Sequence, residues 1–222
     1  MRSFPEAPTV EAFLEASLYA GSVLASDAVR LAWADPSALE MMTVGDIGGH
    51  MFLVVRRVGK RLESAHEADG QAPASGQDPA SGQAGWAWTR VYTTADLELP
   101  EHRQVRVDGA HVAAWGWEEV HNAYNARVRY VGELLRLGLP AATGVAGHDL
   151  PFSAYLATRV VELVVHTDDL ICSVGLGGTP PNLALTTALD ALVDGSRSVH
   201  GDLAVLRALS RPERAPGHIS VF

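Results

Sequence analysis

Cysteine is nearly missing from this sequence: Cys172 stands alone among 222 residues, so no disulfide can form within the chain. That excludes a disulfide-stapled secreted scaffold and fits a reducing compartment. Basic charge is also scarce. Lys and Arg number 17 against 26 Asp and Glu, a formal net charge of -9. A nucleic-acid partner is therefore not expected, because phosphate binding needs a clustered basic face. The one local cluster, Arg56, Arg57, Lys60 and Arg61, reads as a solvated helix face. Long apolar runs are absent too, and none approaches the roughly 18 residues of a membrane span. The opening MRSFPEAPTVEAFLEA carries Glu6, Glu11 and Glu15 where a secretory signal needs a basic stretch followed by an apolar run. The expectation is a cytoplasmic protein with no membrane partner. No Gly-rich phosphate loop follows a strand and no G-x-S-x-G element occurs, so nucleotide binding and serine hydrolysis lack support.

What is present is helical periodicity. Phe13, Leu14, Leu18, Val23, Leu24, Leu31 and Trp33 fall near three-and-four spacing, giving a first helix over Thr9 to Trp33, ended by Asp35-Pro36. Thr43 with Asp46 three residues on forms a capping box that opens a second helix, running to about Leu62. From 66 to 85 the composition turns to Gly, Ala, Ser, Pro and Gln, with PASGQ at 73–77 and again at 79–83. Such a stretch buries too little apolar surface to offset its ordering entropy and reads as a disordered insertion. Trp88 to Tyr92 alternates like a short extended piece. A third helix spans Gly109 or Val112 to Leu137, with Gly138 and Pro140 closing it. A fourth spans Phe152 to Val174, with Ser153 as cap and Gly175 as stop, and a fifth Leu183 to Leu206. These elements specify an all-α single domain, a helical bundle carrying an additional C-terminal helix.

The stretch that bears chemistry runs from Arg159 to Leu170. Glu162 and His166, four residues apart, project side by side from one helix face. Valines and leucines surround them, and an ionisable pair there is costly to bury without compensation. A divalent cation compensates both, accepting the imidazole and neutralising the carboxylate. His50, amid Ile47, Met51, Phe52 and Leu53, is the third ligand candidate. Two His and one carboxylate leave coordination positions open, as a catalytic site requires. Asp169 either orients a ligand or meets substrate. The bland alternatives stand beside this. Glu162 can do no more than pair with Arg159 across one turn, and each His can be a core residue bonded to a carbonyl. Cys172 defaults to a small buried hydrophobe.

Two motifs then carry a resemblance. Thr43-Val-Gly-Asp46-Ile-Gly-Gly-His50 resembles the TVxDLxxH element of the mycothiol-dependent maleylpyruvate isomerase family, within the DinB-like metal-dependent thiol transferases. Arg159-Val-Val-Glu162-Leu-Val-Val-His166-Thr-Asp-Asp169-Leu170 resembles its RxxExxxHxxDL signature. The resemblance implies a DinB-like four-helix bundle. It implies a divalent metal, usually zinc, on His50, Glu162 and His166, with Asp169 in the site and Arg159 beside it. It implies mycothiol or a similar low-molecular-weight thiol as cosubstrate, held as a thiolate that attacks a small electrophile. The function expected is thus a metal-dependent thiol S-transferase. Isomerisation of the maleylpyruvate type and a non-catalytic metal-binding sensor are the alternatives. Full-length family members continue into a second α/β domain that supplies substrate contacts. Met41 and Met42 stand where members often carry Trp. A homodimer through an apolar helix face is compatible with the pattern.

Overall fold

The structure is a computed structural model that describes residues 6–69, 100–145, 148–214 and 217–221. It is mostly helical. Helix α1 spans Glu6–Leu24, the short α2 Asp27–Leu31, α3 Val44–Asp69, α4 Pro100–Ala113 and α5 Trp117–Arg136. A two-stranded antiparallel hairpin follows, β1 (Ala142–Val145) and β2 (His148–Pro151), with Thr143 opposite Leu150. Then come α6 (Phe152–Val174), α7 (Asn182–His200), α8 (Asp202–Ser210) and a single 3-10 turn at Pro212–Arg214.

The apolar spacing explains which faces turn inward. On α3 the buried positions Val44, Ile47, Met51, Val54, Val58 and Leu62 advance by three and four. On α5 the stripe is Val120, Tyr124, Val128, Val131 and Leu135. Helix α6 is buried on several sides, from Phe152 to Ile171, because α1, α3 and α7 all pack against it. One continuous cluster of buried side chains joins these helices, from Ala12 to Val221. Tyr124, wholly buried, keeps its hydroxyl satisfied by donating to the Ser17 carbonyl at 3.0 Å.

The Thr43–Asp46 capping box forms as the spacing predicts. The Thr43 N–H donates to Asp46 Oδ2 at 2.8 Å, and the Asp46 N–H donates to Thr43 Oγ1 at 3.1 Å. The helix it starts runs seven residues past Leu62, so His66 to Asp69 are helical rather than the start of the insertion. Residues 70–85 and the Trp88 to Tyr92 piece lie outside the described residues. Helix α6 has the bounds the sequence predicts, although Pro151 rather than Ser153 is its cap residue, and Gly175 ends it in the left-handed region at φ 65.

Three expected helices are broken. The first stops at Leu24, and Ser26 re-caps α2 by accepting from the Val29 N–H. The third and fifth break at Gly116 (φ 90) and Gly201 (φ 83), backbone that glycine adopts without a Cβ penalty. The third also begins earlier, at Pro100, and the fifth continues to Ser210. In each, apolar periodicity carries across a break it cannot reveal. The hairpin is too short for alternation to announce it.

The crossing of α3 and α4 sets the position of His50. A Cβ on Gly49 would stand 2.3 Å from the Gly109 carbonyl oxygen, and one on Gly109 would stand 2.8 Å from the Asp46 carbonyl oxygen. Only paired glycines permit that approach. On the same helix Gly45 and Gly48 seat the Trp33 indole, whose Nε1 donates to the Ala113 carbonyl. His50 follows directly, fixed between this crossing and α6. Among the described residues, no helix is long and apolar enough to cross a membrane.

Candidate metal centre

His50 on α3 and Glu162 and His166 on α6 converge. Each offers a ligand atom, and these atoms lie within 4.8 Å of one another. His50 Nε2 is 3.0 Å from Glu162 Oε2, and His166 Nε2 is 3.3 Å from the same oxygen. The two imidazoles meet edge to face, centroids 4.7 Å apart. The three side chains are 5%, 13% and 12% exposed, dry enough to strengthen every charge interaction yet not sealed.

The surroundings sort the charges. Glu162 Oε1, turned away from the histidines, lies 3.6 Å from an Arg159 guanidinium nitrogen. The expected Arg159–Glu162 pair therefore exists, alongside the His contacts rather than in place of them. His166 Nδ1 is 2.9 Å from Asp169 Oδ2, so Asp169 touches the far nitrogen of a ligand candidate. Burial works against charge on Glu162, but Arg159 and the two histidines hold its carboxyl well below the usual carboxylate range. Burial also opposes charge on His166, yet the carboxylates of Asp169 and Glu162 raise it to about 9. Burial, with the His166 charge adding to it, lowers His50. The metal-free cluster is thus a neutral His50, an anionic Glu162 and a cationic His166.

This donor set fits a divalent transition-metal ion. Two imidazole nitrogens and one carboxylate oxygen suit zinc, iron, nickel or manganese. Asp169 accepting from His166 Nδ1–H directs the Nε2 lone pair at the other ligands, the usual role of a carboxylate behind a ligating histidine. His50 Nδ1 is buried with no hydrogen-bond partner among the described residues, so the contacts at Nε2 orient that ring. The neutral-carbonyl alternative does not hold for His166, whose Nδ1 meets a carboxylate.

Other expectations change. Cys172 is exposed, because it follows the exposed Asp168 by one turn on the outer stripe of α6. The Arg56 to Arg61 cluster is only partly a solvated face. Arg57 approaches Asp108 at 3.5 Å, and Arg61 donates to Thr143 Oγ1 at 3.0 Å and to the Gly144 carbonyl. Its guanidinium carbon also lies 4.8 Å from the centroid of the Tyr155 ring. Tyr155 and Arg61 were legible in principle. Tyr155, Arg159, Glu162 and His166 advance by four, three and four, and Arg61 lies three turns along α3 from His50. Comparison of the chain with protein-family models, with curated proteins and with solved structures finds no match.

Proposed function

We propose that the chain is a metal-dependent thiol S-transferase of the DinB-like kind, a four-helix bundle that joins mycothiol or a similar small thiol to a small electrophile. The observation that carries this reading is the meeting of His50, Glu162 and His166, drawn from both resembling motifs and from two different helices, within 4.8 Å. These three residues would hold the cation, with zinc the first expectation. When bound, a divalent cation supplies Lewis acidity that favours a thiolate over a thiol near neutral pH.

The chain's own groups prepare the site. Asp169 fixes the tautomer of His166, which makes it a positioning residue. Arg159 offsets the Glu162 charge from the side away from the histidines, so the carboxylate stays ionised despite burial. The valines of α6, with Val160, Val161 and Val164 all buried, keep the surroundings dry. In the transfer reaction the thiol proton leaves to solvent, sulfur forms a bond to the electrophilic carbon, and the leaving group departs with its electron pair.

The test is metal content by plasma mass spectrometry on wild type and His50→Ala, purified without tag histidines and reloaded with zinc. About one ion per chain is expected in wild type and little in the variant. A wild type that fails to take up zinc on reloading overturns the reading. Zinc-loaded protein that consumes no electrophile, with thiol present and across a broad panel, reduces it to metal binding without transfer.

A further inference from the structure

A second polar assembly adjoins the triad through Arg159. Its guanidinium reaches Glu162 on one side, and its central carbon lies 5.3 Å from the centroid of the Tyr155 ring on the other. Arg61, from α3, approaches the same ring at 4.8 Å. Two cations therefore attend one aromatic ring that is 4% exposed. The Tyr155 hydroxyl is buried and has no hydrogen-bond partner among the described residues. A buried hydroxyl without a partner is destabilising, so its persistence on a ring that two guanidiniums approach calls for a ligand.

The charge balance has the same gap. Arg159 faces Glu162, and Arg57, one turn before Arg61, faces Asp108. Arg61 meets only neutral acceptors, the Thr143 hydroxyl and the Gly144 carbonyl, and among the described residues it has no carboxylate partner. It is half-buried. An unneutralised guanidinium, a second guanidinium and an unpaired hydroxyl donor share one preference: an oxyanion.

We propose that Arg61, Arg159 and the Tyr155 hydroxyl form a binding subsite for a small oxyanion, a carboxylate or a phosphate group. Tyr155 precedes Glu162 by seven residues on α6, about two turns or roughly 10 Å. An electrophile anchored here by its anionic end would extend toward the metal triad. The anion site itself stands on Arg61, Arg159 and Tyr155, whereas its use in orienting an electrophile rests on the thiol-transfer reading.

The experiment uses metal-free full-length protein, titrated with sodium acetate and, separately, with inorganic phosphate at constant ionic strength. Binding is read from the arginine Nε–Hε resonances. Saturable shifts are expected, with acetate the tighter for a carboxylate subsite and phosphate the tighter for a phosphoryl one. Arg61→Gln should weaken binding roughly tenfold or more, the loss of one charged hydrogen-bond partner. Tyr155→Phe should weaken it several-fold while leaving the melting temperature unchanged or raised, since it deletes an unpaired hydroxyl; this keeps the test valid if Arg61→Gln folds poorly. Shifts that never saturate, or saturation unchanged by both substitutions, overturn the inference. His166→Ala separates the two readings, because it should abolish zinc uptake and leave acetate binding intact. Wild type that binds zinc but no anion overturns the subsite alone. Wild type that binds acetate but takes up no zinc upholds the subsite and overturns the metal reading.

Discussion

Asp169 and His166 show how one carboxylate sets what its neighbour can do. The 2.9 Å contact at Nδ1 holds a proton on that nitrogen and raises the imidazole to about 9, so in metal-free protein at pH 7 Nε2 also carries a proton. A metal ion held as proposed would displace that second proton while leaving the first in place. Asp169→Asn keeps the size of the side chain and removes its charge. It should bring the His166 titration, followed by NMR on metal-free protein, down toward the ordinary histidine range near 6.5. It should also weaken zinc binding about 10- to 100-fold, the usual effect of losing a partner behind a ligand. A His166 titration unchanged in the variant would show that Glu162 alone holds the proton. At this scale the sequence names the candidate ligands His50, Glu162 and His166 and their neighbours Arg159 and Asp169, but not which atoms meet. Four-residue spacing put Glu162 beside His166, but only the folded chain brings His50, 112 positions from Glu162, against that carboxylate. Cys172 was misjudged because hydrophobic type is a weaker guide than position on the helix: it belongs to the exposed stripe of Asp168.

At the scale of elements, the crossing of α3 and α4 is the feature that the site depends on. Gly49 faces the Gly109 carbonyl at a distance no side chain tolerates, and His50 is the next residue. Gly49→Ala must push the two helices apart, a strain on the order of 1–3 kcal/mol, and it should weaken zinc binding because His50 moves with its helix. Gly132→Ala is the contrast. It lies inside α5, and among the described residues its added Cβ would meet only Leu14 Cδ2 at 3.7 Å, an ordinary contact. That substitution should stabilise by about 0.4–1 kcal/mol through helix propensity and a stiffer unfolded chain. Chemical denaturation of the two variants side by side checks both signs; equal effects would mean that the crossing is compliant. Helix boundaries were the least legible part of the fold for a related reason. Gly116 and Gly201 stop helices through backbone conformation, which leaves the apolar rhythm on either side undisturbed. The capping box at Thr43 and the left-handed Gly175 could be read because their signals are local and chemical.

For the whole molecule, the buried cluster makes stability depend on pH in a definite direction. His166 is raised from 6.5 to about 9, so its contribution is complete below pH 6.5 and is lost as pH rises toward 9. His50 is lowered, so the unfolded chain takes up its proton first, and stability is lost as pH falls below about 6.5. Glu162, held well below 4.5, contributes above pH 4.5 and loses that contribution only in stronger acid. Metal-free protein should therefore be most stable near pH 6.5 and lose on the order of 2–3 kcal/mol by pH 9. Zinc bound as proposed would reverse the upper limb. It would take the place of the His166 proton, so its affinity should rise over the same interval in which the metal-free fold weakens. Ligand at a hundred times its dissociation constant adds about 2.7 kcal/mol, and this addition grows as the competing proton is lost. Thermal melts at pH 6.5 and pH 8.5, with chelator or with one equivalent of zinc, measure the difference. The gap between loaded and metal-free protein should be wider at pH 8.5 and should vanish at both values in His166→Ala. A gap that narrows with rising pH would mean that zinc, if it binds, does not use His166 Nε2.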